Sequence, residues 1–305
     1  MLKREKWKLI IPFVLPGTIL YTMFSMYPNV RGLMVSFYHW SGMTKEMRFA
    51  GLYNYAKLWK QITDPVDFYN VRTYLSHNAF IFLFSLLAIF LALAVAGVIN
   101  NKPFGANFFR VTFFFPNVLS ISAIAVLWSM VLHPEFGLLN SFLRAIGLGK
   151  LALPWLSLSY EMPLARLGLY SVGMIGIWSS LGWYMILFLA AIQNVPTELI
   201  ESARLDGASE RRAFLSITVP LIWETVRTVL VLAIIGALNQ FALVYILFMQ
   251  WSSKNSDMIM NYYYYQAFTE HNWGFAAAIV AVVFIVTMSA SIISYRVLER
   301  EVVQY

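Results

Sequence analysis

Six long apolar runs constrain this chain more than any other feature of its sequence. None of them contains Asp, Glu, Lys or Arg, and a helix of roughly 20 apolar residues is what crosses a bilayer core about 30 Å thick. The sequence therefore predicts an all-α, polytopic membrane protein with six transmembrane helices. The runs cover residues 9–30, 78–99, 111–132, 169–192, 228–249 and 274–295.

The composition agrees with a membrane protein and suggests its orientation. Hydrophobic residues make up 60% of the chain and charged residues 12%, which is about half the charge of a soluble domain. The 22 Lys and Arg residues are scattered over tails and loops, a pattern that argues against a nucleic-acid partner. Lys3, Arg4, Lys6 and Lys8 precede the first run, and such residues favour the cytoplasmic side. Six spans would then place both termini in the cytoplasm.

A polar segment, residues 196–220, separates the fourth and fifth runs and would face the cytoplasm. Pro196 suits the first turn of a helix. Asp206 and Gly207 should end that helix, because glycine accepts positive φ and aspartate can cap the next helix. A second short helix would then run to Pro220. We expect a compact helix-turn-helix element that projects from the membrane.

Seven residues of this segment carry a specific resemblance: Glu201, Ala203, Asp206, Gly207, Ala208, Ile217 and Pro220. Their spacing resembles the EAA motif of the permease subunits of binding-protein-dependent ABC importers. Ser202 stands where that family usually has Ala, and Val219 where it often has Leu. Further likeness narrows the resemblance to carbohydrate importers, the maltose and glycerol-phosphate group. It includes Gly137-Leu138-Leu139-Asn140 and Gly274-Phe275-Ala276-Ala277-Ala278.

The resemblance implies a fold, an assembly and a location. The fold would be that of a type I ABC importer permease, a single domain over residues 1–305 with a coupling helix and short interfacial helices. The partners would be a second permease subunit, two ATPase subunits and an extracytoplasmic solute-binding protein, in the inner membrane of a prokaryote. The chain would not be an enzyme and would hold no cofactor, since it lacks a Gly-x4-Gly-Lys-Ser/Thr loop. ATP and Mg²⁺ would bind the ATPases, and Glu198 would join the seven motif residues in docking.

Polar side chains within three of the runs are candidates for lining a solute pathway: Asn117, Ser120, Ser179, Ser180, Trp183, Asn239 and Gln240. Uncharged runs suit a neutral, hydroxyl-rich solute, because sugars bind through hydroxyl hydrogen bonds and stacking on aromatic rings. The same side chains could instead pack between helices. Gly236 and Ala237 stand where the resembling family has polar residues, so the partner permease could hold part of the site.

Two other functional classes remain open from the sequence. A secondary sugar transporter usually needs an intramembrane carboxylate or an unwound helix, and the apolar runs contain no carboxylate. An integral-membrane glycosyltransferase would need clustered acidic or metal-binding residues, and the four histidines show no ligand spacing. No metal site is expected.

The loop after the first run contains an apolar stripe at helical spacing: Leu52, Tyr55, Ala56, Trp59 and Ile62. This stripe predicts a helix on the membrane surface.

Overall fold

A computed structural model describes residues 2–64, 71–156, 167–248 and 258–298. Most of these residues are helical, and the strands among them form one short antiparallel hairpin in which Tyr38 pairs with Phe49. The predicted all-α fold class is confirmed. The elements in chain order are α1 (Leu2–Tyr21), α2 (Tyr27–Val35), β1 (Tyr38–His39), β2 (Arg48–Phe49), α3 (Tyr53–Thr63), α4 (Val71–Asn100), α5 (Ala106–Phe114), α6 (Ile121–Val131), α7 (Leu138–Ala145), α8 (Leu167–Gln193), α9 (Thr197–Leu205), α10 (Glu210–Ala213), α11 (Val219–Leu221), α12 (Trp223–Leu238), α13 (Ala242–Phe248), α14 (Ile259–Tyr264) and α15 (Trp273–Val297).

The described residues contain four helices that are long and apolar enough to cross a membrane: Val71–Asn100, Leu167–Gln193, Trp223–Phe248 and Trp273–Val297. A bent pair, Ala106–Val118 with Ile121–Val131, makes five if it counts as one span. The predicted number of six is therefore not confirmed. The first apolar run forms α1 and α2, which are joined by a π-helical segment at Thr22–Met26. Residue 249, the end of the fifth predicted run, lies outside the described residues.

The third apolar run, 111–132, does not form the single helix that its composition predicts. The two halves of the run meet at 101°. Pro116 lies in a 3-10 turn, Phe115–Val118, and the following Leu119 is extended. Ser120 is also extended and starts α6, because its Oγ accepts a hydrogen bond from the backbone N–H of Ala123. A proline followed by a strong N-cap residue thus breaks a run that is apolar enough to continue.

The fifth apolar run also differs from its predicted form. Its helix begins at Trp223, earlier than residue 228, and so includes Glu224 and Arg227. It ends at Leu238 and resumes at Ala242 as α13. The helix therefore carries two charged residues in its first turns that the apolar run 228–249 does not contain.

The chain forms two compact units. The first comprises residues 1–72 and 262–285, and the second comprises residues 73–261 and 286–305. The second unit holds two apolar clusters, one around Ile175 and Leu243 and the other around Met185 and Phe188. Helices in lipid associate mainly through close packing. Gly182 in α8 provides such packing, since a Cβ there would collide with the carbonyl oxygen of Phe113 in α5.

In the first unit, the surface helix α3 turns polar residues inward. Its buried positions include the polar residues Asn54 and Gln61, whereas Leu52 and Trp59 are each 68% exposed. The Asn54 amide donates to the carbonyl oxygens of Ser36 and Tyr38, and Gln61 accepts from the Tyr262 hydroxyl. The buried side of α3 therefore carries two hydrogen-bonded polar side chains beside Leu58, while part of the apolar stripe is exposed.

Candidate functional site

The first candidate site is the coupling loop, defined as residues 196–220. Helix α9 carries Glu198 in its first turn and Glu201 in its middle, and both side chains are exposed. Ala203 is half-buried on the opposite side. Leu205, at the end of α9, is 89% exposed. An apolar side chain held in the open beside two carboxylates is a surface that suits a protein partner.

The end of α9 has a defined cap. Asp206 is its C-cap residue, and Gly207 follows with φ of +82°. The backbone N–H of Gly207 bonds to Arg204 O, and that of Ala208 bonds to Ala203 O. These two bonds form a Schellman motif, in which the left-handed residue is usually glycine because a Cβ would be strained there.

The next helix starts at a serine and not at the predicted aspartate. Ser209 is extended, and its Oγ accepts from the backbone N–H of Arg212 at 3.4 Å. Arg204 and Glu210 form an ion pair of 2.7 Å across the turn. Because both side chains are at least half exposed, this pair contributes at most about 1 kcal/mol. The backbone caps therefore hold the turn more than the ion pair does.

The last part of the coupling loop joins it to the helices of the second unit. Ile217 is half-buried in a π-helical segment, Phe214–Thr218, and Pro220 is exposed in α11. The ring of Phe214 packs against Gly97 in α4, so closely that a Cβ added to Gly97 would come within 2.9 Å of the ring. Helix α12 begins two residues after α11 ends. The loop is thus packed at its end while its tip stays exposed.

The second candidate site is the set of polar residues on the predicted pathway, and their hydrogen bonds are local. Ser179 and Ser180 donate to carbonyl oxygens of Ile175 and Gly176 one turn earlier in α8. Asn239 is exposed at the end of α12 and donates to Ile235 O. Side chains that bond within their own helix do not hold neighbouring helices together. These bonds leave both alternatives open for the three residues, a pathway role and a packing role.

The other pathway candidates are distributed over three segments. Asn117 is exposed in the 3-10 turn that packs against α8. Trp183 is 46% exposed on α8, and Gln240 is half-buried in the break after α12. Ser120, as described, caps α6. Within the part of the chain that the structure describes, no hydrogen bond joins the α8 residues to Asn239.

Two residues that the sequence analysis did not select support this region. Asn78 in α4 is buried, and its Nδ2 donates to Ala237 O at 2.7 Å while its Oδ1 accepts from the backbone N–H of Ile259 at 3.1 Å. Arg227 is buried in α12. A lone amide in an otherwise apolar run was a signal for Asn78. No such signal marked Arg227, which lay just outside the predicted run.

Among described residues, no group of three His, Asp or Glu is arranged to hold a metal ion.

Comparison with known proteins identifies the family. Residues 85–304 match the binding-protein-dependent transport system inner membrane component. The chain is 35% identical to the probable ABC transporter permease protein YurN of Bacillus subtilis, covering 94% of this chain and 95% of YurN. It is 30% identical to the diacetylchitobiose uptake system permease protein NgcF of Streptomyces coelicolor, covering 88% and 76%.

A solved structure shares the fold. A chain in the bacterial alginate ABC transporter, crystallised with an alginate pentasaccharide-bound periplasmic protein, superposes with a TM-score of 0.78 at 22% identity, covering 98% of this chain and 97% of that one. The helical fold, the span-sized helices and the EAA-like loop agree with these similarities. The chain belongs to the family of binding-protein-dependent transport system inner membrane components.

Proposed function

We propose that this chain forms half of the translocation pathway of an ABC importer for a sugar or oligosaccharide. Family membership makes it an importer permease and removes support from the secondary-transporter and glycosyltransferase alternatives. The relative NgcF belongs to a diacetylchitobiose uptake system, and the structural relative belongs to an alginate importer. The exposed Trp183, one helical turn after Ser179 and Ser180, is suitable chemistry for a sugar.

The coupling loop is the element that we assign to the ATPase. The observation that carries this assignment is its construction: both ends of the turn are capped, yet Leu205 at the tip is 89% exposed. A stiff, exposed element transmits displacement better than a flexible loop. Glu201 and Asp206 would face basic residues of the ATPase, and Leu205 would enter an apolar recess.

The proposed assembly contains this chain, a second permease subunit, two ATPase subunits and an extracytoplasmic solute-binding protein. ATP and Mg²⁺ would bind the ATPases alone. The coupling loop and both termini would lie in the cytoplasm of a prokaryotic cell. Closure of the ATPase pair on ATP would displace the loop and switch the pathway from inward to outward access.

Co-purification tests the docking assignment. A tagged chain should retain its ATPase subunits from detergent extracts, and Glu201→Lys should abolish that retention because it reverses the charge of the docking face. Glu270→Lys is the matched control, since Glu270 is also exposed but lies outside the loop. If Glu201→Lys retains the ATPase and supports ATP-driven uptake of oligosaccharide in proteoliposomes, the docking assignment is wrong.

A further inference from the structure

Arg227 is a buried charge in α12, and the residues that follow it in that helix, up to Leu238, are uncharged. Its side chain is only 4% exposed, and it lies in the span-sized helix Trp223–Phe248. An isolated charge at such a position is strongly unfavourable, so buried arginines are found paired and hydrogen-bonded. The partners of Arg227 therefore indicate what the residue does.

Glu224 and Tyr295 enclose the guanidinium of Arg227. These three residues are named the Arg227 clamp. Arg227 Nη1 donates to Glu224 Oε2 at 2.7 Å, and Nη2 donates to the Tyr295 carbonyl oxygen at 2.6 Å. The guanidinium carbon lies 3.9 Å from the centre of the Tyr295 ring. The Tyr295 hydroxyl bonds to Glu224 Oε1 at 2.9 Å, which closes a ring of contacts.

The clamp joins two helices that are distant in sequence. Glu224 and Arg227 lie in the first turns of α12, whereas Tyr295 lies in the last turn of α15. The last carbonyl groups of a helix have no partner within it, so Arg227 caps α15 from outside. Trp223 Nε1 makes a second such bond to Leu298 O at 2.7 Å.

The same turn of α12 directly follows the coupling loop. Helix α11, the last element of the loop, ends at Leu221, and Trp223 begins α12. Any displacement of the loop must therefore move the donors that hold the end of α15. The Nε of Arg227 has no hydrogen-bond partner among the described residues.

We infer that the Arg227 clamp makes the coupling loop and the C-terminal end of α15 move as one body during transport. Arg227 is a positioning residue in this scheme, since it acts through the backbone of α15 and not on the solute. The inference rests on the proposed function, because it needs a loop that an ATPase displaces. Loss of the clamp should leave ATP hydrolysis largely intact while uncoupling it from solute movement.

Distance measurements test the clamp directly. The natural chain has no cysteine, so cysteines can be introduced in pairs and spin-labelled in the assembled complex. Ser216 in the loop, Val297 at the end of α15 and Leu138 in α7 are all exposed. In the unaltered clamp, ATP should change the Ser216 to Leu138 distance and leave the Ser216 to Val297 distance unchanged. In Arg227→Met, ATP should shift or broaden the Ser216 to Val297 distribution.

Coupling provides the second readout. Arg227→Met should raise the ATP hydrolysed per solute imported by about tenfold, within the range of ordinary coupling free energies. Arg227→Lys can reach only one of the two acceptors and should give an intermediate value. Tyr295→Phe removes only the bond to Glu224 and keeps the ring and the carbonyl, so it should show the smallest change. This series keeps the test valid if Arg227→Met does not assemble.

Two outcomes would contradict the inference in different ways. Unchanged distance distributions and an unchanged ATP-to-solute ratio in Arg227→Met and Arg227→Lys would show that the clamp transmits nothing, with the proposed function intact. Absence of any ATP-dependent change between Ser216 and Leu138 in the unaltered clamp, together with failure of the ATPase to co-purify, would contradict both ideas.

Discussion

The coupling loop and the break in the fifth span are both interruptions of helix, but they are held in opposite ways. In the loop, the bonds from Gly207 to Arg204 and from Ala208 to Ala203 join near neighbours in sequence. In the break after α12, the holding residue is Asn78, which lies 159 residues from Ala237 and 181 residues from Ile259. The loop is therefore a self-contained element, and the break depends on the assembled fold.

This difference suits the two proposed tasks. An element that an ATPase displaces must keep its shape when its surroundings change, and local caps allow that. A pathway segment must change with the surrounding helices, and bonds from another helix allow the break to respond to them. The Arg227 clamp would combine both principles. It lies in the turn that follows the locally capped loop, and it binds a helix that is distant in sequence, α15.

Gly207→Val should have the largest effect, because it strains the loop where only glycine fits. Valine at φ of +82° costs roughly 1–2 kcal/mol and displaces the docking surface. ATP-driven uptake in proteoliposomes should fall by about a hundredfold, near the upper limit of ordinary coupling free energies.

Gly147→Val is the matched control for this strain. Gly147 has a similar φ of +79° and open space around it, but it lies outside the loop. Equal loss of uptake in both variants would mean that general strain, not docking, causes the defect.

Asn78→Leu should have the next largest effect, on the break in the fifth span. It leaves Ala237 O and the Ile259 N–H without partners, at a cost of about 1–3 kcal/mol for each buried group. Thermal unfolding in detergent should show the loss, and uptake should fall by about tenfold if the break lines the pathway.

Asn78→Asp keeps the size of the side chain and removes its donor. Its carboxylate still accepts from the Ile259 N–H but becomes a buried charge facing Ala237 O, so it should lose at least as much stability as Asn78→Leu. Stability equal to that of the unaltered chain in both variants would contradict a holding role for Asn78.

Trp183→Ala should have a moderate effect that is confined to solute recognition. Trp183 is half exposed on α8, so its removal should change stability little while removing a stacking surface of about 1 kcal/mol. The solute concentration that gives half-maximal ATPase stimulation should rise about fivefold. Met174→Ala is the control on the same helix, since Met174 is 63% exposed. An unchanged response in Trp183→Ala removes that residue from the pathway.

Ser209→Ala should have the smallest effect. The serine caps α10 through a long bond of 3.4 Å, so its loss should cost about 0.5–1 kcal/mol. Uptake should decrease no more than about threefold, because the Schellman motif still holds the turn. Uptake is measured in the same proteoliposomes. A loss as large as that of Gly207→Val would show that the turn depends on the serine cap and not on the Schellman motif.

The sequence was informative wherever local chemistry decides the structure. Pro196, Gly207 and Pro220 predicted the two short helices of the loop from backbone preferences alone. The expectation that Asp206 caps the second helix was wrong, because Asp206 already ends α9 and Ser209 caps α10. Both residues are good caps, and only the geometry of the preceding helix distinguishes them.

The sequence was less informative where distant residues meet. The roles of Asn78 and Arg227 depend on partners far along the chain, which a hydrophobicity pattern does not contain. The apolar stripe of α3 was expected to lie against the membrane surface, and the structure shows only that Asn54 and Gln61 turn inward. Assignment of the pathway residues stays a prediction, because their hydrogen bonds are local.

Cross-linking from the loop tip tests the central claim most directly. Leu205→Cys would be the sole cysteine of the chain, at a loop position that is 89% exposed. The account predicts that a short thiol-reactive cross-linker joins it to an ATPase subunit. It also predicts that a membrane-impermeant reagent labels it in inverted vesicles stripped of ATPase, but not in intact cells. Labelling from outside intact cells, with no cross-link to an ATPase, would contradict the account.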